Sequence, residues 1–241
     1  MNLGQEILNK FEDKKIDSFK FCQLVKEEHE GILKSSVGVK AIREKKRGFK
    51  EFVEEIIPIS FYIRKKWALD KKLFVTWCGS KKGLDGSTIR YDGLVDQVGI
   101  AVDIGNFEPK FYLEVTSAIL KNQHLADQLL NEEGGHFAVK GISKQRDGKV
   151  ISEVISFNDT EYVDEFCERL FDIIVTKLTK EYPDKTVLIV CCTMDILYTS
   201  NDWKLLESKI RNKIINDKFI EIFIYDSTAE HFFTIIKANH Y

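Results

Sequence analysis

RYDGLVDQVGIAVDIGNFEPKFYLEVTSAILK, from Arg90 to Lys121, places a carboxylate on each of two successive apolar runs. Arg90–Asp103 and Lys110–Ser117 read as two strands joined by a turn around Gly105 and Asn106, a hairpin pattern. Side chains alternate along a strand, so Lys110, Tyr112, Glu114 and Thr116 share one face of the second run, while Phe111, Leu113 and Val115 share the other and suit a core. Asp92 and Glu114 are therefore the leading pair of metal-binding acids. Asp96 is the reserve for Asp92, being four residues away on the same strand face. Magnesium takes hard oxygen ligands and keeps several waters, so two carboxylates on neighbouring strands are enough protein for a hydrolytic site.

Upstream, residues 1–70 read as helical, with Ile7, Leu8, Phe11, Phe19, Phe21, Leu24 and Val25 set among charges. The clearest early helix starts near Arg47, where Phe49, Phe52, Val53, Ile56 and Ile57 form one apolar stripe at helical period. Pro58 is expected to kink or restart it. Glu54 and Glu55 lie beside that stripe, where one of them could lean toward a sheet, although an exposed helix glutamate is the commoner outcome. Leu73–Trp77 reads as the first strand, followed by the glycine-containing loop GSKKGLDGS, Gly79–Ser87. That loop lacks the Gly-Lys-Ser/Thr ending and the following helix of a nucleotide-binding P-loop, which excludes one.

Downstream, Asn122–Glu133 reads as a helix stopped by Gly134 and Gly135, and His136–Phe157 as a second hairpin with Gly148 at its turn. From Thr160 to Leu178 the helical period persists for about five turns, ahead of Pro183. Thr186–Cys192, TVLIVCC, has the continuous apolar character of a strand buried on both faces. Ser200 is placed to cap a helix through Ile214, and Phe219–Tyr225 and Phe232–Ile236 close the chain as strands. A strand–helix–strand crossover beside an antiparallel hairpin implies a mixed sheet. The expected architecture is thus α/β, a mixed central sheet flanked by helices, with residues 1–46 as an N-terminal helical segment and 47–241 as the core.

The chain has 241 residues, 44% of them hydrophobic, which suffices for one large core, with or without a small helical appendage. No run approaches the roughly 18–20 apolar residues of a membrane span, and the N-terminus lacks a signal-peptide core, so a soluble cytoplasmic protein is expected. The five cysteines are scattered without a Cys-x-x-Cys pair, which excludes a zinc ribbon or a disulfide framework. Five dispersed histidines do not make a zinc site, and Trp67, Trp77 and Trp203 fall on apolar faces as core residues. Neither Gly-x-Ser-x-Gly, His-Glu-x-x-His nor a Gly-x-Gly-x-x-Gly turn after a strand occurs. Charge is uneven: residues 1–70 hold 15 basic and 12 acidic side chains, and residues 151–241 hold 10 and 16. Lys40, Arg43, Lys45, Lys46, Arg47 and Lys50 crowd one segment, a surface able either to track a phosphate backbone or simply to face solvent.

The order of elements, with Tyr91-Asp92-Gly93 on one strand and Glu114-Val115-Thr116 on the next, resembles the PD-(D/E)XK nuclease superfamily over roughly residues 47–236. The resemblance implies a restriction-endonuclease-like core and a magnesium- or manganese-dependent nuclease, an endonuclease that binds and hydrolyses DNA. Asp92 and Glu114 would hold the metal together with the Val115 carbonyl. The departure is Thr116, which stands where that superfamily has lysine and offers a hydroxyl in place of a charge. Lys110, on the same strand face, and Lys121, at the start of the next helix, are the candidate substitutes. Lys81 and Lys82 are candidate phosphate contacts. Gln123, His124 and Gln128 lie on the helix expected to border the cleft, and Gln123 is similar to a glutamine in some nuclease branches. Two alternatives stand beside this reading. One is a nuclease-like subunit without catalysis that binds nucleic acid or a partner protein in a defence or repair system. The other is an unrelated α/β interaction protein, favoured if Asp92 and Glu114 lie far apart. A homodimer would suit a duplex cutter.

Overall fold

The computed structural model describes residues 3–67, 72–79, 91–105, 108–119, 122–135, 141–154, 159–192, 199–227 and 231–238. The chain opens with α1 (Leu3–Leu8), a two-residue strand β1 (Ile16–Asp17), α2 (Ser18–Leu33) and α3 (Ser36–Arg43). Helix α4 (Phe49–Glu51) runs through a π turn (Phe52–Ile56) directly into α5 (Ile57–Lys66). There follow β2 (Leu73–Trp77), β3 (Gly93–Gln97), α6 (Ile100–Asp103), β4 (Lys110–Ala118), α7 (Gln123–Glu132), β5 (Ile142–Lys144) and β6 (Val150–Ser152). The remainder is α8 (Asp159–Leu178), β7 (Thr186–Cys192), α9 (Ser200–Lys213), β8 (Glu221–Asp226) and β9 (Phe232–Ile236).

Among the described residues one sheet has seven strands in the order β1-β2-β3-β4-β7-β8-β9, and β5 pairs only with β6. Strands β1 to β4 are antiparallel neighbours, β4–β7 and β7–β8 are parallel, and β8–β9 is antiparallel again. The sheet is mixed, as the crossover through α9 requires.

Alternation along the central strands divides the apolar side chains between two faces. Val187 and Ile189 of β7 pack with Leu113 and Val115 of β4 and with Phe21, Val25, Ile59 and Ile63 from α2 and α5. Leu188, Val190 and Cys192 pack on the opposite face with Leu170 and Ile174 of α8 and Leu206 and Ile210 of α9. Strand β7 is therefore covered on both sides, the reason its sequence is continuously apolar.

The segment 1–46, expected ahead of the core, packs into it: Ile7, Phe11 and Phe21 belong to the same cluster as Val75, Val95 and Ile189. Strand β1 also adds to the sheet edge, Ile16 facing Val75, so Leu73–Trp77 is the second strand and not the first. The first run of the quoted stretch is shorter than expected. Strand β3 ends at Gln97, Gly99 turns the chain at φ +116°, and Ile100–Asp103 is helical. Ile100 is 74% exposed, so the apolar alternation there does not mark a buried face. Helix α9 is capped one residue earlier than expected. Thr199 Oγ1 accepts from the Asp202 amide at 3.3 Å, and Asp202 Oδ2 accepts from the Thr199 amide at 2.8 Å. Among the described residues no helix is long and apolar enough to cross a membrane.

Two glycines fix how the helices meet. Gly48 has φ +89°, and a Cβ there would stand 2.4 Å from the Gly4 carbonyl carbon, so α1 rests backbone to backbone on the start of α4. At Gly93 a Cβ would meet Ile59 Cδ1 at 3.0 Å, so α5 crosses β3 close above the strand's first residue.

Candidate active site

Gly93 of β3 faces Leu113 of β4, which places Asp92, the residue before β3, opposite Glu114. The Asp92 amide still donates to the Leu113 carbonyl at 2.8 Å, and the Asp92 carbonyl accepts from the Cys78 amide at 2.9 Å. Beyond this point the side chain takes over from the ladder: the Val115 amide donates to Asp92 Oδ2 at 2.7 Å. The Asp92 backbone is thus tied to Leu113 and Cys78 and its carboxylate to the Val115 amide, so that Asp92 and Glu114 stand opposite one another and not far apart.

Glu114 projects from the β4 face that looks toward α8 and is 9% exposed. Its Oε1 accepts from Lys177 Nζ at 2.5 Å and from the Tyr182 hydroxyl at 3.3 Å. Burial, and then the Glu114 charge, push the Tyr182 hydroxyl up.

A third acid approaches from the π turn. The Ile57 amide reaches five residues back to the Phe52 carbonyl, and Pro58 has no amide hydrogen to offer. The ring of a helical proline crowds the carbonyl four residues earlier, so a widened turn immediately before Pro58 relieves that contact without breaking the helix. Glu55 lies within this turn, and its Oε2 accepts from Trp77 Nε1 at 2.9 Å. Burial raises the Glu55 carboxyl, with smaller contributions from Glu51, Glu54 and Glu114 opposing the Trp77 bond. Glu54 turns the other way, to Lys45 at 2.9 Å and Lys50 at 4.0 Å.

The Asp92 carboxyl is pushed up to about 8, first by burial and then by the charges of Glu114 and Glu55, against the Val115 amide and Lys177. Carboxylates thus outnumber the cation that contacts them, which is an environment a divalent ion would relieve. Among the described residues no three His, Cys, Asp or Glu side chains are grouped closely enough to hold a metal. A cation here would rest on two carboxylates with backbone oxygen and water completing its shell, which is the hard, water-rich coordination magnesium accepts.

The other expected residues are distributed as follows. Thr116 shares the Glu114 face, is half-buried and faces Val190 of β7. Lys110 stands at the far end of β4, 3.9 Å from Asp96, which also pairs with Lys15 at 3.0 Å. Lys110 and the reserve acid Asp96 therefore engage one another and not Glu114. Lys81, Lys82 and Lys121 lie outside the described residues. Gln123 opens α7. His124 and Gln128 of α7, with Asp127, face Lys40, Arg43 and Lys45 across an open groove of about 490 Å³. In the basic segment Lys40 and Lys46 share Glu44 at 3.7 and 2.8 Å, and Lys45 and Lys50 share Glu54, so these two carboxylates offset two of its six positive charges.

Lys177 and Tyr182 were not expected from the sequence. The available signal was positional: Leu170, Ile174 and Lys177 recur at i, i+4 and i+7, so a lysine continues the buried stripe of α8. No family model, no curated protein and no solved structure matches this chain.

Proposed function

We propose that the chain is a metal-dependent nuclease hydrolysing phosphodiester bonds in DNA, with a restriction-endonuclease-like core of the PD-(D/E)XK type, acting in the cytoplasm. The observation that carries the reading is the Asp92–Glu114 pair, a buried acid on β4 facing a half-buried acid at the entry to β3, with Asp92 clamped by the Val115 amide. Asp92, Glu114 and the Val115 carbonyl would hold magnesium or manganese. Such an ion lowers the pKa of a bound water and polarises the scissile phosphate. A second reading, a nuclease-like subunit that binds nucleic acid or a partner protein without cutting, is favoured by Thr116, which brings no charge to the strand.

The test is cleavage of supercoiled plasmid, single-stranded DNA and RNA with magnesium or manganese, comparing wild type with Asp92→Ala and Glu114→Ala. Chelator-sensitive cutting of DNA by wild type alone is the expected result. Equal inertness of all three proteins, with no metal binding by calorimetry, overturns the reading and favours the binding subunit.

A further inference from the structure

Lys177 reaches the acids through a hydrophobic wall. Its neighbours on the α8 stripe, Leu170 and Ile174, are fully buried, and its own side chain is 16% exposed where Nζ meets Glu114. Burying an isolated Lys–Glu pair costs about as much desolvation as the attraction returns, and an apolar pair of similar volume is often the more stable choice. Stability alone therefore gives no reason for this lysine. Its location gives another. Glu114 and Thr116 leave β4 on the same face, toward α8, and Lys177 arrives on that face at Glu114, two residues along the strand from Thr116.

We propose that Lys177 supplies, from α8, the positive charge that the strand lacks at Thr116. The inference rests on the hydrolytic reading above. In that reaction the water oxygen bonds to phosphorus as the bond to the leaving ester oxygen breaks. One water proton ends on the leaving oxygen and the other stays with the new phosphate or passes to solvent. Lys177 keeps its own protons throughout, orienting the water and facing the charge that builds on the phosphate oxygens.

The experiment is single-turnover DNA cleavage in magnesium by wild type, Lys177→Met, Lys177→Gln and the double variant Thr116→Lys/Lys177→Met, with magnesium affinity measured by calorimetry. Glutamine keeps a hydrogen bond to Glu114 without the charge, so it separates the cation from the packing if methionine fails to fold. Both single variants are expected to lose about 10²–10³-fold in kcat, the scale for removing one transition-state donor, with KM and magnesium affinity little changed. The double variant is expected to regain at least tenfold. Wild-type cutting matched by both single variants overturns the inference alone, as does a kcat loss that follows loss of magnesium binding, or a folded double variant with no recovery. A wild type that cuts nothing overturns the nuclease reading itself, and this inference with it.

Discussion

The Val115 amide donates to the Asp92 carboxylate at 2.7 Å, so a side chain of one strand completes the hydrogen bonding of the next. That bond holds Asp92 against Glu114 in surroundings where its proton is retained to about pH 8. The folded protein consequently keeps a proton that the unfolded chain releases near pH 4. Stability from this group is complete below about pH 4 and is lost as pH rises toward 8. Glu55, raised in the same direction, adds to the trend. The Tm of the metal-free protein should fall between pH 5 and pH 8 by several degrees, about 1 kcal/mol corresponding to ~2–4 °C at this chain length. Asp92→Asn should flatten that slope. Magnesium should raise the wild-type Tm at pH 8 and leave that of the variant unchanged; a pH-independent wild-type Tm would refute the assignment.

Glu114→Ala strands the Lys177 ammonium in the α8–β4 wall. Breaking such a pair from one side costs about 3 kcal/mol, and the double variant Glu114→Ala/Lys177→Met should recover most of it. Urea denaturation of the four proteins gives the coupling directly. Additive losses would mean that the two side chains do not interact in solution.

At Glu55 the two obvious replacements should diverge. Alanine leaves the Trp77 indole N–H, on a ring that is 2% exposed, without its acceptor. An orphaned buried donor costs about 1–3 kcal/mol. Glutamine preserves the acceptor and removes a charge that burial disfavours, so Glu55→Gln should match or exceed wild-type stability above neutral pH. Equal destabilisation by both would show that the bond to Trp77 is immaterial.

Gly48→Ala should destabilise strongly, because the added methyl meets the Gly4 backbone at 2.4 Å and the residue must keep φ +89°. A loss of at least about 2 kcal/mol is expected, positive φ and an unyielding backbone neighbour acting together. A thermal melt within 1–2 °C of wild type, under about 1 kcal/mol at this length, would mean that α1 is not seated on α4.

Much of the architecture could be read from pattern because single physical causes set it. Continuous apolarity of TVLIVCC follows from burial on both faces, and the long period of α8 from one helix packed along one face of the sheet. Alternation failed at Val98–Ile104, where apolar side chains face solvent around Gly99 and no strand forms. The acids Asp92 and Glu114 were legible because a hairpin register is local. Glu55 was legible only as one of two, with Glu54, and Lys177 not at all, since each reaches the site through tertiary packing: a π turn ahead of Pro58 for one, the docking of α8 for the other. Lys110 misled because sharing a strand face says nothing of distance along it, and its register partner Asp96 claims it first.

The switch from antiparallel to parallel pairing at β4 also separates the site's contacts by very different lengths of chain. Gly93 and Leu113 are joined by a short excursion of chain, whereas Lys177 meets Glu114 across 63 residues and β4 meets β7 only after that whole span has been laid down. Closing the longer loops costs more entropy and waits on non-local contacts. The two carboxylates of the hairpin are therefore expected to approach one another ahead of their counter-charge, and refolding should quicken as salt or divalent cation is added to the buffer.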